Sequence, residues 1–323
     1  MEEILRLFPK EMKLAIQSTI QNRWLNLQEI RFRLNQPIEL IFDQHVEWIE
    51  YCKPTKYDSV FVLNQLSQHS LYRMEDELRE GYMTIEGGHR VGLAGKVNTL
   101  GGAVKAVQHI TFLNIRIAKQ SIGVANPILP YLFQNDYLNT LVIGPPQSGK
   151  TTLIRDLTRL ISTGRKNMSP KKVGVVDERS EIGASIKGVP QHDLGRRTDV
   201  LDACPKAEGM MMLIRSMSPE VIVVDEIGHK QDVKALLEAI NAGVTIFCTI
   251  HGQSLSELKK RPSLKPIFDY HIFKRFIVMD RNLNGPGQIQ KIYNEKEMNI
   301  FQKSGCLHNE VDWSSSFHKH NDL

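Results

Sequence analysis

A phosphate-binding loop constrains this chain more than any other stretch of its sequence. The apolar residues 141–143 lead into a segment that fits the pattern G-x-x-x-x-G-K-[ST], with Gly144, Gly149, Lys150 and Thr151 at the defining positions. Beyond the loop, apolar residues recur at helical spacing, at Leu153, Ile154, Leu157, Leu160 and Ile161. A strand, a glycine-rich loop and a helix in this order predict an α/β domain that binds polyphosphate.

The loop motif assigns a role to each of its residues. Backbone N–H groups and the positive end of the helix dipole form a cradle for phosphate. We expect Lys150 to reach the β- and γ-phosphates of ATP and Thr151 to place its hydroxyl on Mg²⁺. ATP and Mg²⁺ are therefore the predicted cofactors. The predicted nucleotide-binding residues are Gly144, Pro145, Pro146, Gln147, Ser148, Gly149, Lys150, Thr151 and Thr152.

A second motif lies at the end of the apolar run 221–224, where Asp225 and Glu226 follow directly. Four apolar residues indicate a buried central strand, and the acidic pair at its tip matches the Walker B pattern. We expect Asp225 in the magnesium shell and Glu226 beside a water that it orients or deprotonates. Acidic residues at strand ends also serve as helix caps, and the phosphate-binding loop upstream favours the catalytic interpretation.

Two further predicted strands end in polar residues. Residues 172–176 lead to Asp177, Glu178 and Arg179, and residues 244–250 lead to His251. Carboxyl ends of parallel strands meet at one edge of a sheet, so these groups are expected near the bound phosphate. His251 could sense the γ-phosphate by hydrogen bonding or be structural, and the cluster at 177–179 could act on the nucleotide or cap a turn.

The chain is long enough for two domains. Its 323 residues exceed what one compact core usually holds. We place the boundary near residue 120, ahead of a segment at 123–130 that contains two prolines and is interpreted as a linker. The prediction is a smaller α+β domain over residues 1–120, a P-loop domain with a mainly parallel sheet over 121–302, and a polar, disordered tail over 303–323.

Helical spacing in the first domain predicts helices within 1–24 and 59–83, and alternation predicts strands at 28–34, 38–42 and 112–118. A glycine-rich hairpin is predicted from residue 87 to a turn at Gly101 and Gly102. In the second domain, residues 191–205 are interpreted as a loop and 208–216 as a helix with core methionines. Four arginines lie in strand-like contexts of the first domain and could belong to a solvated face or contact a phosphate or a neighbouring subunit: Arg31, Arg33, Arg90 and Arg116.

Charge and composition exclude several classes. The net charge of +5 divides into +1 for residues 1–120, with 15 basic and 14 acidic residues, and +4 for the remainder, with 26 and 22. Neither part has the excess of a groove that follows nucleic-acid phosphates, so no nucleic-acid partner is expected. Four distant cysteines argue against a zinc site. No apolar run approaches the about 18 residues of a membrane span, so any membrane association is expected to be peripheral.

Four segments together resemble the secretion-ATPase superfamily of type II and type IV systems. Residues 144–152, 175–182, 223–228 and 249–252 match its Walker A, aspartate, Walker B and histidine boxes. This resemblance implies a RecA-like fold and a homo-oligomer in the form of a hexameric ring. It also implies catalytic roles for Lys150, Glu226, Glu178, His251 and, from the first domain, Arg90 or Arg116. The superfamily usually carries glycine before the Walker B glutamate, whereas Asp225 here is closer to the ordinary P-loop pattern and favours hydrolysis.

Further segments resemble a family of sporulation proteins from endospore-forming Firmicutes. These segments are residues 87–97, 113–118, 195–202 and 204–210, and the resemblance extends to about residue 295. It implies a cytoplasmic ATPase motor, peripheral at the mother-cell membrane, that energises a channel to the forespore with membrane-embedded channel proteins as partners. Two alternatives are a nucleic-acid-binding RecA-like ATPase and a nucleotide-gated scaffold with little turnover. Scattered aromatic residues argue against the first, and the presence of Lys150 and Glu226 argues against the second.

Overall fold

The structure, a computed structural model, describes residues 1–67, 81–100, 103–165, 167–282 and 285–301. The chain divides into two compact units, with the boundary between Lys119 and Gln120. The tail predicted to be disordered, residues 303–323, and the turn predicted at Gly101 and Gly102 lie outside the described residues. In the part of the chain that is described, no helix is both long enough and apolar enough to cross a bilayer.

Within the described residues, the first unit combines helices with a six-stranded antiparallel sheet. The strand order is β3-β2-β1-β6-β5-β4, which confirms the predicted α+β class. The elements are α1 (Glu2–Leu5), α2 (Lys10–Ile20), β1 (Leu27–Arg33), β2 (Ile38–Phe42), β3 (Val46–Ile49), α3 (Lys56–Ser67), β4 (Tyr82–Ile85), β5 (His89–Leu100) and β6 (Ala103–Arg116).

One face of this sheet forms the core of the first unit. Strand β1 buries Leu27, Ile30 and Phe32, and a register shift after Leu27 accounts for the three-residue step to Ile30. Helix α2 contributes Ile16, which is fully buried in the same cluster. Burial of each such side chain contributes about 1.5–3 kcal/mol. The other face of β1 keeps Arg31 partly exposed, because successive strand residues point to opposite sides.

Two predictions in the first unit were wrong in part. The helix expected over 1–24 is two helices, because Pro9 cannot continue a helix and instead caps α2. The helix expected over 59–83 begins earlier, at Lys56, and residues 82 and 83 belong to β4, which pairs with β5. Residues 68–80 lie outside the described chain. Pairing with the following strand overrides the helical spacing at 82 and 83.

The second unit is a seven-stranded sheet with helices, in the order β13-β12-β7-β11-β10-β8-β9. All neighbours in this sheet are parallel except β12 and β13, which form an antiparallel hairpin, and this confirms the mainly parallel α/β prediction. The elements are β7 (Thr140–Gly144), α4 (Lys150–Thr163), β8 (Val173–Asp177), β9 (Thr198–Asp202), α5 (Lys206–Met217), β10 (Val221–Val224), α6 (Lys230–Asn241), β11 (Thr245–His251), α7 (Leu255–Lys259), α8 (Lys265–Asp269), β12 (Arg275–Asn282) and β13 (Gly285–Asn294).

The central strands of this sheet are buried on both faces. Every residue of β7, β8 and β10 is buried, as expected of parallel strands covered by helices. Leu141 and Ile143 pack in the cluster that includes α5 and α6, whereas Val142 packs in the cluster that includes α4. The carboxyl ends of β7, β11, β10 and β8 therefore lie side by side at one edge.

The segment interpreted as a linker is part of the second unit. Ala125 and Leu129 are at most 1% exposed and pack in the cluster that includes α4. The carboxylate of Asp156 in α4 accepts the backbone N–H groups of Gly123 and Ala125, both at 2.9 Å. The side chain of Gln120 exchanges two hydrogen bonds with the backbone of Asp193. The linker prediction was wrong because its prolines interrupt regular structure without exposing the chain.

Two other predictions in this unit need correction. Residues 191–205 are not all loop, because Thr198–Asp202 forms β9, paired with β8 so that Val200 lies beside Val175. Of the methionines predicted as core in α5, Met210 is fully buried, but Met212 is half exposed. Asp199 and Asp202 fall on opposite faces of β9, so this edge strand carries little periodic signal and its pairing comes from the sheet rather than from local sequence.

Candidate active site

The loop between β7 and α4 has the backbone of a phosphate cradle. Gln147 and Gly149 adopt left-handed conformations, with φ of +62° and +89°, and Gly149 caps the 14-residue helix α4. A Cβ atom on Gly149 would lie 2.9 Å from the Cα atom of Gly287 in β13, so a larger residue does not fit. The Gly287 N–H donates to the Ser148 carbonyl at 3.0 Å. The backbone N–H groups at the start of α4 are thereby held for an anion.

Lys150, the first residue of α4, is a buried cation whose side chain contacts this loop. Its Nζ donates to the carbonyl oxygens of Gly144 at 3.0 Å and Pro145 at 2.9 Å, and lies 3.3 Å from Nδ1 of His251. Burial lowers the pKa of Lys150, and the negative charge of Asp225 opposes that shift. The ammonium group thus stands between the loop, the Walker B strand and the end of β11.

Asp225, directly after β10, accepts hydrogen bonds from two hydroxyl groups. Its Oδ2 accepts the hydroxyl hydrogen bond of Thr151 at 2.9 Å, and its Oδ1 accepts that of Thr249. The carboxylate is 8% exposed. Mg²⁺ prefers oxygen ligands, and the Thr151 hydroxyl and Asp225 Oδ2 supply two of them at the start of α4. This donor set fits the predicted magnesium ion of a bound nucleotide.

Both carboxylate oxygens of Glu226 have a nitrogen atom close by. Arg179 Nη1 donates to its Oε2 at 2.7 Å, and His251 Nε2 lies 2.7 Å from its Oε1. Since the ammonium of Lys150 can only donate, Nδ1 of His251 accepts the hydrogen bond between the two side chains. The sequence-predicted residues Lys150, His251 and Glu226 therefore lie in one line, with the imidazole between the ammonium and the carboxylate.

The charged residues after β8 divide into different roles. Asp177 is 1% exposed and accepts the N–H groups of Glu181 and Gly183, both at 2.8 Å. Burial raises the pKa of Asp177, and the hydrogen bonds oppose that shift. Glu178, the residue that resemblance makes catalytic, is ion-paired with Lys206 at the start of α5. Asp177 thus caps a turn, as the alternative interpretation of this cluster held, and the catalytic role of Glu178 stays a prediction.

Arg90 and Arg116 lie in the first unit. They face each other directly across β5 and β6. The Arg90 guanidinium lies over the ring of Tyr82, 4.9 Å from its centroid. Arg116 is 62% exposed, and its Nε lies 3.8 Å from Glu29 Oε1. Their pairing was not foreseen from the sequence, and their action on phosphate stays a prediction.

Three contributors to the site were missed from the sequence. Thr249 precedes His251 by two positions, so strand alternation places both on one face, a signal that could have identified it. Arg179 was noted in a charged cluster without its contact to Glu226. Arg155 is buried in α4 and donates to the carbonyl oxygens of Glu181 and Ile182, and no local pattern distinguishes it from other helical arginines.

The family described as "Sporulation stage III, protein AA" matches residues 1–300 of the chain. The chain belongs to this family. Stage III sporulation protein AA of Bacillus subtilis (strain 168) is 52% identical over 304 residues, which cover 94% of this chain and 98% of that protein. The match confirms the sporulation family predicted from the sequence and extends beyond its motifs.

Solved structures of other proteins share the fold of this chain. The ATPase DotB of Legionella pneumophila aligns with a TM-score of 0.56 at 15% identity, covering 87% of this chain and 79% of that one. The pilus retraction motor PilT, solved with bound ADP, aligns with a TM-score of 0.57 at 14% identity, covering 83% and 77%. At this identity the likeness concerns the fold, and it confirms the RecA-like secretion-ATPase architecture.

Proposed function

We propose that this protein is a magnesium-dependent ATPase motor of endospore formation, which energises assembly of, or transport through, a channel between mother cell and forespore. The observation that carries the proposal is the convergence of Lys150, Thr151, Asp225, Glu226 and His251 on one P-loop. In P-loop ATPases the lysine binds phosphate, and the threonine and the aspartate hold the cation. Glu226 and His251 would act on the water and on the transferred phosphoryl group.

The side chains divide the work of hydrolysis. The loop N–H groups and Lys150 would hold the phosphates, and Thr151 and Asp225 would hold the cation. Bound ATP would supply the phosphoryl group, and the magnesium ion would neutralise its negative charge. Glu226 would orient the attacking water and take its proton at a carboxylate oxygen. His251 accepts from Lys150 at Nδ1, and its Nε2 lies 2.7 Å from that carboxylate, so the imidazole lies between the lysine and the base.

The assembly that we propose is a homo-oligomeric ring, a hexamer by family resemblance, in the cytoplasm and peripheral at the mother-cell membrane. Its partners would be membrane-embedded channel proteins of sporulation. Support comes from family membership and from Arg90 and Arg116, which belong to strands of the first unit, whereas the P-loop belongs to the second. Charged groups that a catalytic site needs but its own core does not supply are commonly delivered by a neighbouring subunit.

The proposed function is tested by measuring ATP hydrolysis against protein concentration, with and without Mg²⁺ and single-stranded DNA. We expect turnover that requires Mg²⁺, rises more than linearly with protein concentration and does not respond to DNA. Activation of several-fold by DNA that weakens with salt would instead favour the nucleic-acid-binding alternative. ATP binding without turnover at any protein concentration would favour the scaffold.

A second prediction concerns the first-unit arginines. We expect Arg90→Ala or Arg116→Ala to keep ATP affinity and to lose turnover by about 10³-fold, because an arginine supplied in trans stabilises transition-state charge. Steady-state hydrolysis and titration of a fluorescent ATP analogue measure the two effects. Arg6→Ala is a matched control, since Arg6 lies in the same unit and pairs with Glu86 at an exposed position.

Mixing the variants decides whether an arginine acts between subunits. Glu226→Gln protein mixed with either arginine variant should regain activity, because some interfaces then pair an intact glutamate with an intact arginine. Activity that is strictly linear down to nanomolar protein, with full turnover in both arginine variants, would contradict the trans arrangement. The arginines would then belong to the solvated strand face.

A further inference from the structure

Thr249 is a buried polar residue beside the Walker B residues Asp225 and Glu226. It is 0% exposed and lies on β11, which runs parallel to β10 with Cys248 beside Val224. This register continues past the end of β10, so Asp225 lies next to Thr249. The carbonyl oxygen of Thr249 also accepts the N–H of Ile227 at 2.9 Å. Both the backbone and the side chain of this threonine therefore contact the residues that follow β10.

The hydroxyl of Thr249 has its donor and acceptor roles fixed by its neighbours. The Glu226 N–H can only donate, and it lies 2.8 Å from Thr249 Oγ1, which accepts. The single hydroxyl proton is then directed to Oδ1 of Asp225, which as a carboxylate oxygen accepts. One hydroxyl thus connects the backbone of Glu226 to the carboxylate of Asp225.

These two hydrogen bonds determine how both acidic residues are presented. With Oδ1 of Asp225 engaged, its other oxygen lies 2.9 Å from the Thr151 hydroxyl, on the side proposed for the cation. Glu226 has φ of +50°, a left-handed conformation that is uncommon for a residue with a side chain and needs support from its surroundings. The bond from its N–H to Thr249 supplies part of that support.

We infer that Thr249 is a positioning residue for ATP hydrolysis, which aligns Asp225 toward the cation and Glu226 toward the attacking water without contacting either. This inference rests on the proposed function, since it assigns Thr249 a role in the same site. It requires the hydroxyl group rather than the bulk of the side chain. Thr249→Val keeps the β-branched shape and should therefore lower turnover. Thr249→Ser keeps the hydroxyl and should therefore preserve it.

The experiment compares Thr249→Val and Thr249→Ser with the unmodified full chain. We expect valine to lower kcat by about 10²-fold, the scale on which small misplacements of catalytic groups act, and serine to restore most of it. A fluorescent ATP analogue should bind Thr249→Val normally in EDTA, whereas the tightening of binding by Mg²⁺ should be reduced. That binding readout does not depend on turnover.

Thr140→Val is the matched control. Thr140 is also 0% exposed, lies on the neighbouring strand β7 at the opposite end of the sheet, and donates to the Leu138 carbonyl at 2.7 Å. The Thr140→Val variant therefore loses a buried hydroxyl hydrogen bond that does not involve Asp225 or Glu226. Its kcat should stay within about twofold of the parent value. If Thr249→Val does not fold, Thr249→Ala replaces it in the same comparison.

The outcomes separate this inference from the proposed function. Unchanged kcat and unchanged Mg²⁺ dependence in Thr249→Val, with an active parent, would overturn the positioning role alone. Equal loss in the valine and serine variants, or in Thr140→Val, would also overturn it, because the effect would then follow packing. An unmodified protein that binds no nucleotide would overturn the proposed function and this inference together.

Discussion

Replacing Lys150 with alanine is expected to abolish ATP binding. Its buried ammonium is held by the loop carbonyls of Gly144 and Pro145, and it would bind phosphate by charge-assisted hydrogen bonds. Hydrogen bonds to charged groups contribute about 1.5–3 kcal/mol each, so loss of this cation should weaken affinity by about 10²-fold or more. Titration of a fluorescent ATP analogue measures the change directly.

The control for this variant is a lysine outside the site. Lys234→Ala removes an ammonium from α6 that is 81% exposed and pairs weakly with Glu238 at 3.9 Å, and its nucleotide affinity should equal that of the parent. Circular dichroism establishes that both variants fold. Equal affinity in Lys150→Ala and the parent protein would refute the assignment of the P-loop as the nucleotide site.

Replacing Glu226 with glutamine is expected to preserve ATP binding and block hydrolysis. Glutamine keeps the shape of the side chain but cannot take a proton from water, and general-base catalysis contributes about 10²–10⁴-fold. The carboxylate lies beside His251 and Arg179 rather than among the phosphate-binding groups of the loop. We therefore expect kcat to fall by about 10³-fold while affinity for the ATP analogue stays within about twofold.

Two glutamate variants complete this comparison. Glu220→Gln changes an acidic residue at the opposite end of β10, where it accepts the Lys172 N–H at 2.9 Å, and should leave turnover unchanged. Glu178→Gln tests the role implied by resemblance, since this carboxylate is paired with Lys206. If Glu178→Gln blocks hydrolysis and Glu226→Gln does not, the general base lies after β8, and the Walker B assignment of the base is wrong.

The P-loop, the Walker B strand and the mainly parallel sheet could be predicted because each has a local signal. Apolar runs such as 221–224 indicate buried strands, and the loop pattern specifies its own backbone geometry. Strand β9 and the packing of Ala125 could not be predicted, because their partners lie elsewhere in the sequence. Long-range pairing decides such elements, and residue spacing within them does not record it.

The residues of the site also divide into those that a local motif predicts and those that depend on the fold. Lys150, Asp225 and Glu226 follow from motifs whose chemistry requires those residue types, and the structure places all three at one sheet edge. The contact between Arg179 and Glu226 depends on how the turn after β8 folds. That turn is shaped by the buried carboxylate of Asp177, and its conformation cannot be derived from the order of charges alone.

The bonds from Asp156 to Gly123 and Ala125 have a mechanical consequence. Asp156 lies six positions after Lys150 in α4, a distance of about 9 Å along the helix axis. The chain that enters the second unit is thus fastened to the helix whose first turn would grip phosphate, and Gln120 is already anchored to Asp193. If α4 tilted when nucleotide binds, the hydrogen bonds of Asp156 would transmit that displacement directly to residues 123–125, because no flexible segment lies between them.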